Sequence, residues 1–337
     1  MTLHLLLPAV MGLLPVMAFL LVLVYFDSYK LAAFTTVLWV LAAGAASAAA
    51  CYYLNGFLLQ QSGLPFPAYS HWVAPFVEEG LKALVILWLF RSHRIGFIAD
   101  AAVFGFAVGA GFAVFENLFY LMQAEHRSLL VWFVRGFGTA FMHGGTVAVF
   151  AVLLVSLADR HAKFSVLQAV PGLLLAAAVH SVFNHFLVKP MFQTLLMLVI
   201  LLPLLYAVFQ RSQRLVAEWL GEGFDAGVET LTLIHSGQLS GSPIGQYVHT
   251  LKARFNGEVL TDILCYLRLH VELALRAKGM LLMREEGFEV PLDAETRDKL
   301  IELGHLSRSI GKTGLAAIAP MLASGRKDLW QLQQLRD

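Results

Sequence analysis

The chain has 337 residues, of which 58% are hydrophobic and only 14% are charged, and its formal net charge is +1. Soluble domains usually contain about 25% charged residues, so the composition argues against a water-soluble globule. The near-zero net charge gives no electrostatic basis for binding nucleic acid. Two cysteines, Cys51 and Cys265, do not indicate a disulfide framework or a cysteine-rich metal site.

Seven apolar runs precede residue 210, and each is long enough to cross the hydrocarbon core, which takes about 20 helical residues. They predict membrane-spanning helices over residues 4–26, 31–58, 72–90, 97–122, 129–158, 166–188 and 191–209. The first run has no basic flank and is too long for the core of a signal peptide, so we interpret it as a retained helix. The predicted fold class is all-α: a polytopic membrane helix bundle of about seven spans, followed by a soluble helical domain.

Basic residues in the loops predict the orientation of the chain. The loops on one side of the membrane carry seven Lys and Arg residues, and those on the other side carry two. The seven are Lys30, Arg91, Arg94, Arg160, Lys163, Arg211 and Arg214, and the two are Arg127 and Lys189. Because cytoplasmic loops are enriched in such residues, we expect the N-terminus outside and the C-terminus in the cytoplasm. The predicted location is a bacterial inner or plasma membrane.

Residues 211–337 have the composition of an ordinary soluble domain, with 31 charged residues against 16 in residues 1–210. Apolar residues recur at helical spacing, and Asp293 precedes one such stripe as a helix cap would. The sequence therefore predicts a membrane-embedded domain over 1–210 and a cytoplasmic helical domain over 211–337. We expect the second domain to be regulatory or to mediate interaction, by binding a partner or by self-association.

Ionisable side chains cost several kcal/mol inside a bilayer, so each one within a span needs an explanation. The ionisable residues and amides within the runs are Glu78, Glu79, Lys82, Asp100, Glu116, Asn117, Arg135, His143, His180, Asn184 and His185. Glu78 and Lys82 share one helix face, whereas Glu79 is turned about 100° away. One ammonium group cannot neutralise two carboxylates, so one carboxylate suits a general base. The alternative is a buried ion pair that fixes helix packing.

Four of these residues are predicted to lie at a similar depth in the membrane. At a rise of 1.5 Å per residue, Glu79 lies ~12 Å, Glu116 ~9 Å and His180 ~12 Å from the outer ends of their helices. His143 lies between ~8 and ~21 Å, depending on where its long helix enters the bilayer. We therefore expect the four side chains to meet at one level in the outer half of the membrane.

Carboxylates and imidazoles without a nucleophilic serine or cysteine indicate activated water. One reading is a metal held by two histidines and a glutamate, with another glutamate as base. The other is a glutamate–histidine pair that activates water directly. The sequence contains no His-Glu-x-x-His helix and no Gly-x-Ser-Gly motif, and Asp100 is the one aspartate well inside a span. These absences argue against other classes of intramembrane hydrolase.

Four motifs in order, on four successive runs, resemble the PrsW family of membrane proteases. They are Glu78-Glu79-x-x-Lys82, Phe115-Glu116-Asn117-x-x-Tyr120, Arg135-x7-His143-Gly and His180-x-x-x-Asn184. That family is distantly similar to the CAAX-prenyl protease and bacteriocin-immunity group. The resemblance covers residues ~70–190, and it implies a membrane-embedded metalloprotease that acts on a membrane-anchored protein, with site-1 cleavage of an anti-sigma factor in well-known members.

The resemblance also implies roles for individual residues. Glu78 and Glu79 would be the catalytic acids, and Asn184 would orient His180 or donate to the oxyanion. Glu116, His143 and His180 would be the ligands of a Zn²⁺ ion. The supporting residues would be Lys82, Asn117, Tyr120 and Arg135. The sequence does not decide which of the three glutamates binds metal.

Two other functions remain open at this stage. Transporters and proton-coupled channels also use intramembrane Glu, His and Arg, although they often contain inverted repeats, and no repeat is visible here. In a non-proteolytic scaffold or immunity protein, the same polar cluster would serve helix packing alone.

Overall fold

The computed structural model describes residues 3–123, 128–160, 164–252, 254–288, 290–319, 322 and 326–335. The regular secondary structure of these residues is entirely helical. The chain divides into two compact units, Met1–Gln213 and Arg214–Asp337. Two residues used above to predict the orientation, Arg127 and Lys163, lie outside the described residues.

The first unit is a bundle of helices that follow one another through short connections. In chain order they are α1 (Leu3–Phe26), α2 (Phe34–Ser62), α3 (Phe66–Trp72), α4 (Ala74–Arg91), α5 (Ile98–Gln123), α6 (Leu129–Phe133), α7 (Ala140–Ala158) and α8 (Val170–Asn184). A π-helical turn, Val134–Thr139, joins α6 to α7, and a 3₁₀ turn, Val166–Ala169, leads into α8. The next helix, α9 (Pro190–His235), begins in the first unit and ends in the second.

Within the described residues, six segments are long and apolar enough to cross a membrane. They are Leu6–Phe26, Phe34–Ser62, Ile98–Gln123, Leu129–Ala158, Val166–Asn184 and Pro190–Gly221. They correspond to six of the seven predicted runs. The remaining run, 72–90, forms α4, an 18-residue helix that carries four charged side chains and is therefore too polar to belong to this set.

The centre of the bundle is α5, which is buried almost continuously from Ile98 to Ala113. Two glycines allow its neighbours to approach closely. A Cβ atom at Gly109 would lie 2.1 Å from the carbonyl oxygen of His143 in α7, and one at Gly111 would lie 1.9 Å from that of Leu41 in α2. Contacts this close are open only to glycine, so the two positions set the spacing of α5 against α7 and α2.

The second unit consists of helices with their own apolar cores. They are the end of α9, then α10 (Pro243–Leu251), α11 (Gly257–Glu285), α12 (Ala294–Ile318) and α13 (Arg326–Gln334). The predicted cap is confirmed, because Asp293 Oδ1 accepts a hydrogen bond from the Thr296 amide at 2.7 Å where α12 begins. Leu267 and Leu273 on α11 each belong to a cluster that also includes residues of α12, so these helices pack through apolar faces.

Candidate active site

The polar residues of α4, α5, α7 and α8 meet inside the first unit. Glu78 and Glu79 lie in the second turn of α4, while His143 belongs to the first turn of α7. His180 and Glu116 lie in the C-terminal halves of α8 and α5. Helix α4 packs against all three of these helices, so the structure brings together the side chains that the sequence placed at one depth.

Glu79 is at the centre of the buried network. It is only 2% exposed, and its Oε1 lies 2.7 Å from Lys82 Nζ and 2.8 Å from His180 Nδ1. Its Oε2 accepts a hydrogen bond from Thr146 Oγ1 at 3.2 Å. The sequence placed Lys82 on the face of Glu78, whereas the ammonium group pairs with Glu79, three residues away. Both oxygens of Glu79 are therefore engaged, and the carboxylate holds His180 in place.

Lys82 of α4 is fully buried, and its side chain contacts His143 in α7. Its Nζ lies 2.8 Å from His143 Nδ1 and 4.0 Å from the centre of the Phe112 ring. An ammonium group can only donate, so Nδ1 of His143 is the acceptor. A neutral ring that accepts at Nδ1 carries its proton on Nε2, which donates to Glu116 Oε2 at 3.1 Å.

Glu78, His143 and His180 form a group suited to a metal ion. One oxygen or nitrogen atom from each lies within 4.8 Å of the other two. Glu79 occupies Nδ1 of His180, so that ring keeps Nε2 for a ligand. His143 offers Nε2 to a metal ion when its ring proton lies on Nδ1, with Lys82 then the acceptor. Two histidines and a carboxylate match the donor set of catalytic zinc sites, and His180 also has the carboxylate partner that orients many zinc-binding histidines. The residues present therefore fit the metal that the sequence led us to expect.

Glu116 lies beside this group, not within it. Its Oε2 is 3.1 Å from His143 Nε2, and its Oε1 is 3.3 Å from a terminal nitrogen of Arg135. Arg135 belongs to the π-helical turn, donates from Nε to Asn117 Oδ1 at 2.8 Å, and lies 3.9 Å from the centre of the Tyr120 ring. Among the predicted supporting residues, Arg135 thus contacts the Glu116 carboxylate, while Asn117 and Tyr120 contact Arg135. Turns of the π-helical type often occur at functional sites.

Asn184 contacts the short helix α3, not His180. Its Nδ2 donates to the Ser70 carbonyl at 3.1 Å, and Ser181 Oγ donates to the His71 carbonyl at 2.6 Å. Since Glu79 holds His180, Asn184 is not needed to orient that ring. An amide nitrogen carries two hydrogens, so Asn184 keeps one donor beyond its bond to Ser70.

A cavity of about 670 Å³ lies between α2, α3, α4, α5, α7 and α8. The predicted site residues in its wall are Glu78, Glu116, Tyr120, Arg135, His143, His180 and Asn184. Among the described residues, Glu79, Lys82 and Asn117 lie behind this wall. The side chains in the wall can therefore touch a ligand, whereas those behind the wall position the side chains in it.

Besides Thr146, sequence reasoning missed two polar residues of this site. Asn55 on α2 donates from Nδ2 to Glu78 Oε1 at 3.2 Å, and Tyr69 on α3 donates from its hydroxyl to Asn55 Oδ1 at 3.0 Å. Asn55 is an amide near the end of an apolar run, which is the one signal that could have identified it.

Residues 32–208, just over half of the chain, match the family described as PrsW family intramembrane metalloprotease. No curated protein and no solved structure matches the chain. The matched segment contains α2 to α8 and therefore all the site residues described above. One contact reaches outside it, because the Gly12 carbonyl in α1 accepts a hydrogen bond from Asn117 Nδ2 at 2.7 Å.

Proposed function

The chain belongs to the PrsW family of intramembrane metalloproteases, and from this membership we propose that it hydrolyses a peptide bond of a membrane-anchored protein with water activated in the cavity. The observation that carries the proposal is the group formed by Glu78, His143 and His180 in the cavity wall. A carboxylate outside that group, Glu116, lies next to it. Hydrolysis by activated water needs both parts: a place to hold the water and a group to take its proton.

Glu78, His143 and His180 are the proposed ligands of a zinc ion. This set differs from the sequence-based one, which contained Glu116 in place of Glu78. The change is supported by the mutual distances of the three side chains and by the ion pair that engages Glu116 with Arg135. Zinc held by three protein ligands lowers the pKa of a bound water and polarises a carbonyl oxygen.

The chain's own side chains then have distinct tasks. Glu116 accepts the proton of the attacking water, since it is the cavity-facing carboxylate left outside the ligand set. Arg135 holds Glu116 in position. The remaining N–H of Asn184 donates to the carbonyl oxygen of the scissile bond, where negative charge develops. Glu79 and Lys82 position the histidines and touch no substrate.

A metal-free reading assigns the same residues differently. In that reading Glu78 is the base and His180 its partner, and their Oε2 and Nε2 atoms are 3.8 Å apart. The two readings predict the same reaction but opposite responses to removal of metal.

We propose that α4 crosses the membrane, which restores seven spans. Its 18 residues extend about 27 Å, close to the hydrocarbon thickness of about 30 Å. Glu79 and Lys82 neutralise each other in the bundle interior, which lowers the cost of placing them in the membrane. Seven spans put the two termini on opposite sides of the membrane. The bias of basic residues in the loops then puts the N-terminus outside, residues 211–337 in the cytoplasm, and the cavity in the outer half of a bacterial inner or plasma membrane.

The proposed substrate is a membrane-anchored protein cut near the outer face, and site-1 cleavage of an anti-sigma factor fits that position. The proposed domain boundary stays at 210, with a protease domain over 1–210 and a regulatory or interaction domain over 211–337. The second domain would bind a partner or self-associate.

Proteolysis can be tested with full-length protein purified in detergent and mixed with single-span proteins, including a membrane-anchored anti-sigma factor. We expect a discrete cut whose new termini, read by mass spectrometry, lie at or near the outer half of the substrate's span. His180→Ala, purified in parallel, should not cut, because it lacks a proposed ligand. Absence of cutting by the wild-type protein, or equal cutting by His180→Ala, would contradict the proposal and favour a scaffold or transporter.

A further inference from the structure

Each member of the Glu78–His143–His180 group is held from behind by one polar side chain. Glu79 Oε1 holds His180 Nδ1 at 2.8 Å, and Lys82 Nζ holds His143 Nδ1 at 2.8 Å. For Glu78 the corresponding contact comes from Asn55, whose Nδ2 lies 3.2 Å from Glu78 Oε1. Glu79 and Lys82 lie in the same motif as Glu78, whereas Asn55 lies on another helix, 23 residues earlier.

The chemistry of the neighbours fixes the orientation of the Asn55 amide. The Glu78 carboxylate can only accept, so the nitrogen of Asn55 must face it. The amide oxygen then faces Tyr69, whose hydroxyl donates to it at 3.0 Å. The reverse orientation would place the amide oxygen against a carboxylate oxygen. Tyr69 is only 2% exposed, so its hydroxyl would be costly to leave without a partner.

This chain of hydrogen bonds separates the two oxygens of Glu78. Oε1 is engaged by Asn55, while Oε2 is the oxygen directed at His180, 3.8 Å from Nε2. Loss of the Asn55 contact would let the carboxylate rotate about its last bond, so that neither oxygen stays directed at the histidines. Partners of this kind affect metal affinity because they orient ligands that otherwise have several conformations.

We propose that Asn55, itself held by Tyr69, is a positioning residue that directs Glu78 Oε2 toward the metal site. The inference rests on the proposed function in one respect, since it takes Glu78 as a metal ligand. Tyr69 acts through Asn55 alone. Because Tyr69 belongs to α3, the relay also ties that short helix in the cavity wall to the metal site.

The test is the zinc affinity of the full-length protein in detergent, measured by competition with a chelating dye. We expect Asn55→Leu to weaken zinc binding by about 10- to 100-fold and Tyr69→Phe to weaken it less. The double variant should bind zinc as weakly as Asn55→Leu and no more weakly, because Tyr69 has no separate route to Glu78. Gln60→Leu removes an exposed amide from the same helix and should leave the affinity unchanged.

Cutting by Asn55→Leu in excess zinc distinguishes the positioning role from a purely structural role of Asn55. Excess zinc should restore cutting by Asn55→Leu, which a misfolded protein would not allow. If Asn55→Leu cannot be purified folded, Tyr69→Phe decides the question by the same measurement. Wild-type affinity in the folded variants would overturn the positioning role and leave the proposed protease intact. A wild-type protein that binds no zinc would instead overturn the proposed metal site, and the positioning role with it.

Discussion

Glu78 and Glu116 both face the cavity, yet we assign them different roles, as ligand and as base. Their side chains are 18% and 28% exposed, so both can meet a substrate or a solvent molecule. Glu78→Gln should lower the zinc content of the purified protein well below one ion per chain. Glu116→Gln should keep its zinc and lose turnover by about 10²- to 10⁴-fold, the usual contribution of a general base. Metal analysis and cleavage rates of the two variants check both expectations. The reverse pattern would restore the sequence-based ligand set.

His180 and His185 are close in sequence but differ in environment. His180 faces Glu78 and Glu79, whereas His185 Nδ1 lies 2.7 Å from the Ser181 carbonyl and its ring stacks on His71. His180→Ala should therefore lose bound zinc, and His185→Ala should retain it. Zinc analysis of the two proteins provides the comparison. Equal retention by both would exclude His180 as a ligand.

Residue types and spacing predicted most of the Glu, His and Arg side chains that line the cavity, but not their partners. The rise of a helix fixes depth, so Glu79, Glu116 and His180 could be placed at one level from sequence. Which carboxylate lies next to which histidine depends on the rotation of each helix and on side-chain conformation. For that reason the sequence placed Lys82 on the face of Glu78 although it pairs with Glu79, and it gave no sign that Asn55 contacts Glu78.

At the level of the elements, the site depends on how closely α5 and α7 approach. Gly109→Ala would place a Cβ atom 2.1 Å from the His143 carbonyl oxygen, and backbone atoms cannot move aside as a flexible side chain can. We expect a loss of about 1–3 kcal/mol or more in stability, together with displacement of His143. Thermal unfolding in detergent should show a lower midpoint for this variant.

The matched control for this substitution is Gly80→Ala in α4. Apart from its chain neighbours and the backbone of its own helix, no atom lies within 4 Å of a Cβ built there. Alanine favours a helix over glycine by about 0.5–1 kcal/mol. The midpoint of Gly80→Ala should therefore equal or exceed that of the wild type. A midpoint for Gly109→Ala as high as that of the control would contradict the close packing of α5 and α7.

The lengths of the helices were predictable only where hydropathy marks their ends. The last predicted run ended at residue 209, whereas α9 continues to His235. Beyond Gln210 the helix is amphipathic, so an apolar run cannot report its length. The run that forms α4 was predicted as a span, but its four charged side chains exclude it from the segments that are apolar enough to cross a membrane.

For the whole molecule, the orientation in the membrane depends on whether α4 crosses it. Reporter fusions at Gly63 and Ser92, on either side of α3 and α4, should report outside and inside respectively. Fusions at Gln210 and Asp337 should both report inside; Asp337 lies outside the described residues. Gly63 and Ser92 on the same side would show that α4 does not cross. An outside signal from Gln210 would reverse the orientation and remove the outer-half position of the cavity.

The central claim is that this protease needs a metal ion bound in the cavity, and a zinc titration tests it most directly. Full-length protein is stripped with a chelator, shown by elemental analysis to be metal-free, and given zinc in increments while cleavage of a single-span substrate is measured. We predict no cleavage by the stripped protein, a rise in proportion to bound zinc, and a plateau near one ion per chain. Full activity of the metal-free protein would contradict the account and leave the glutamate–histidine pair as the catalyst.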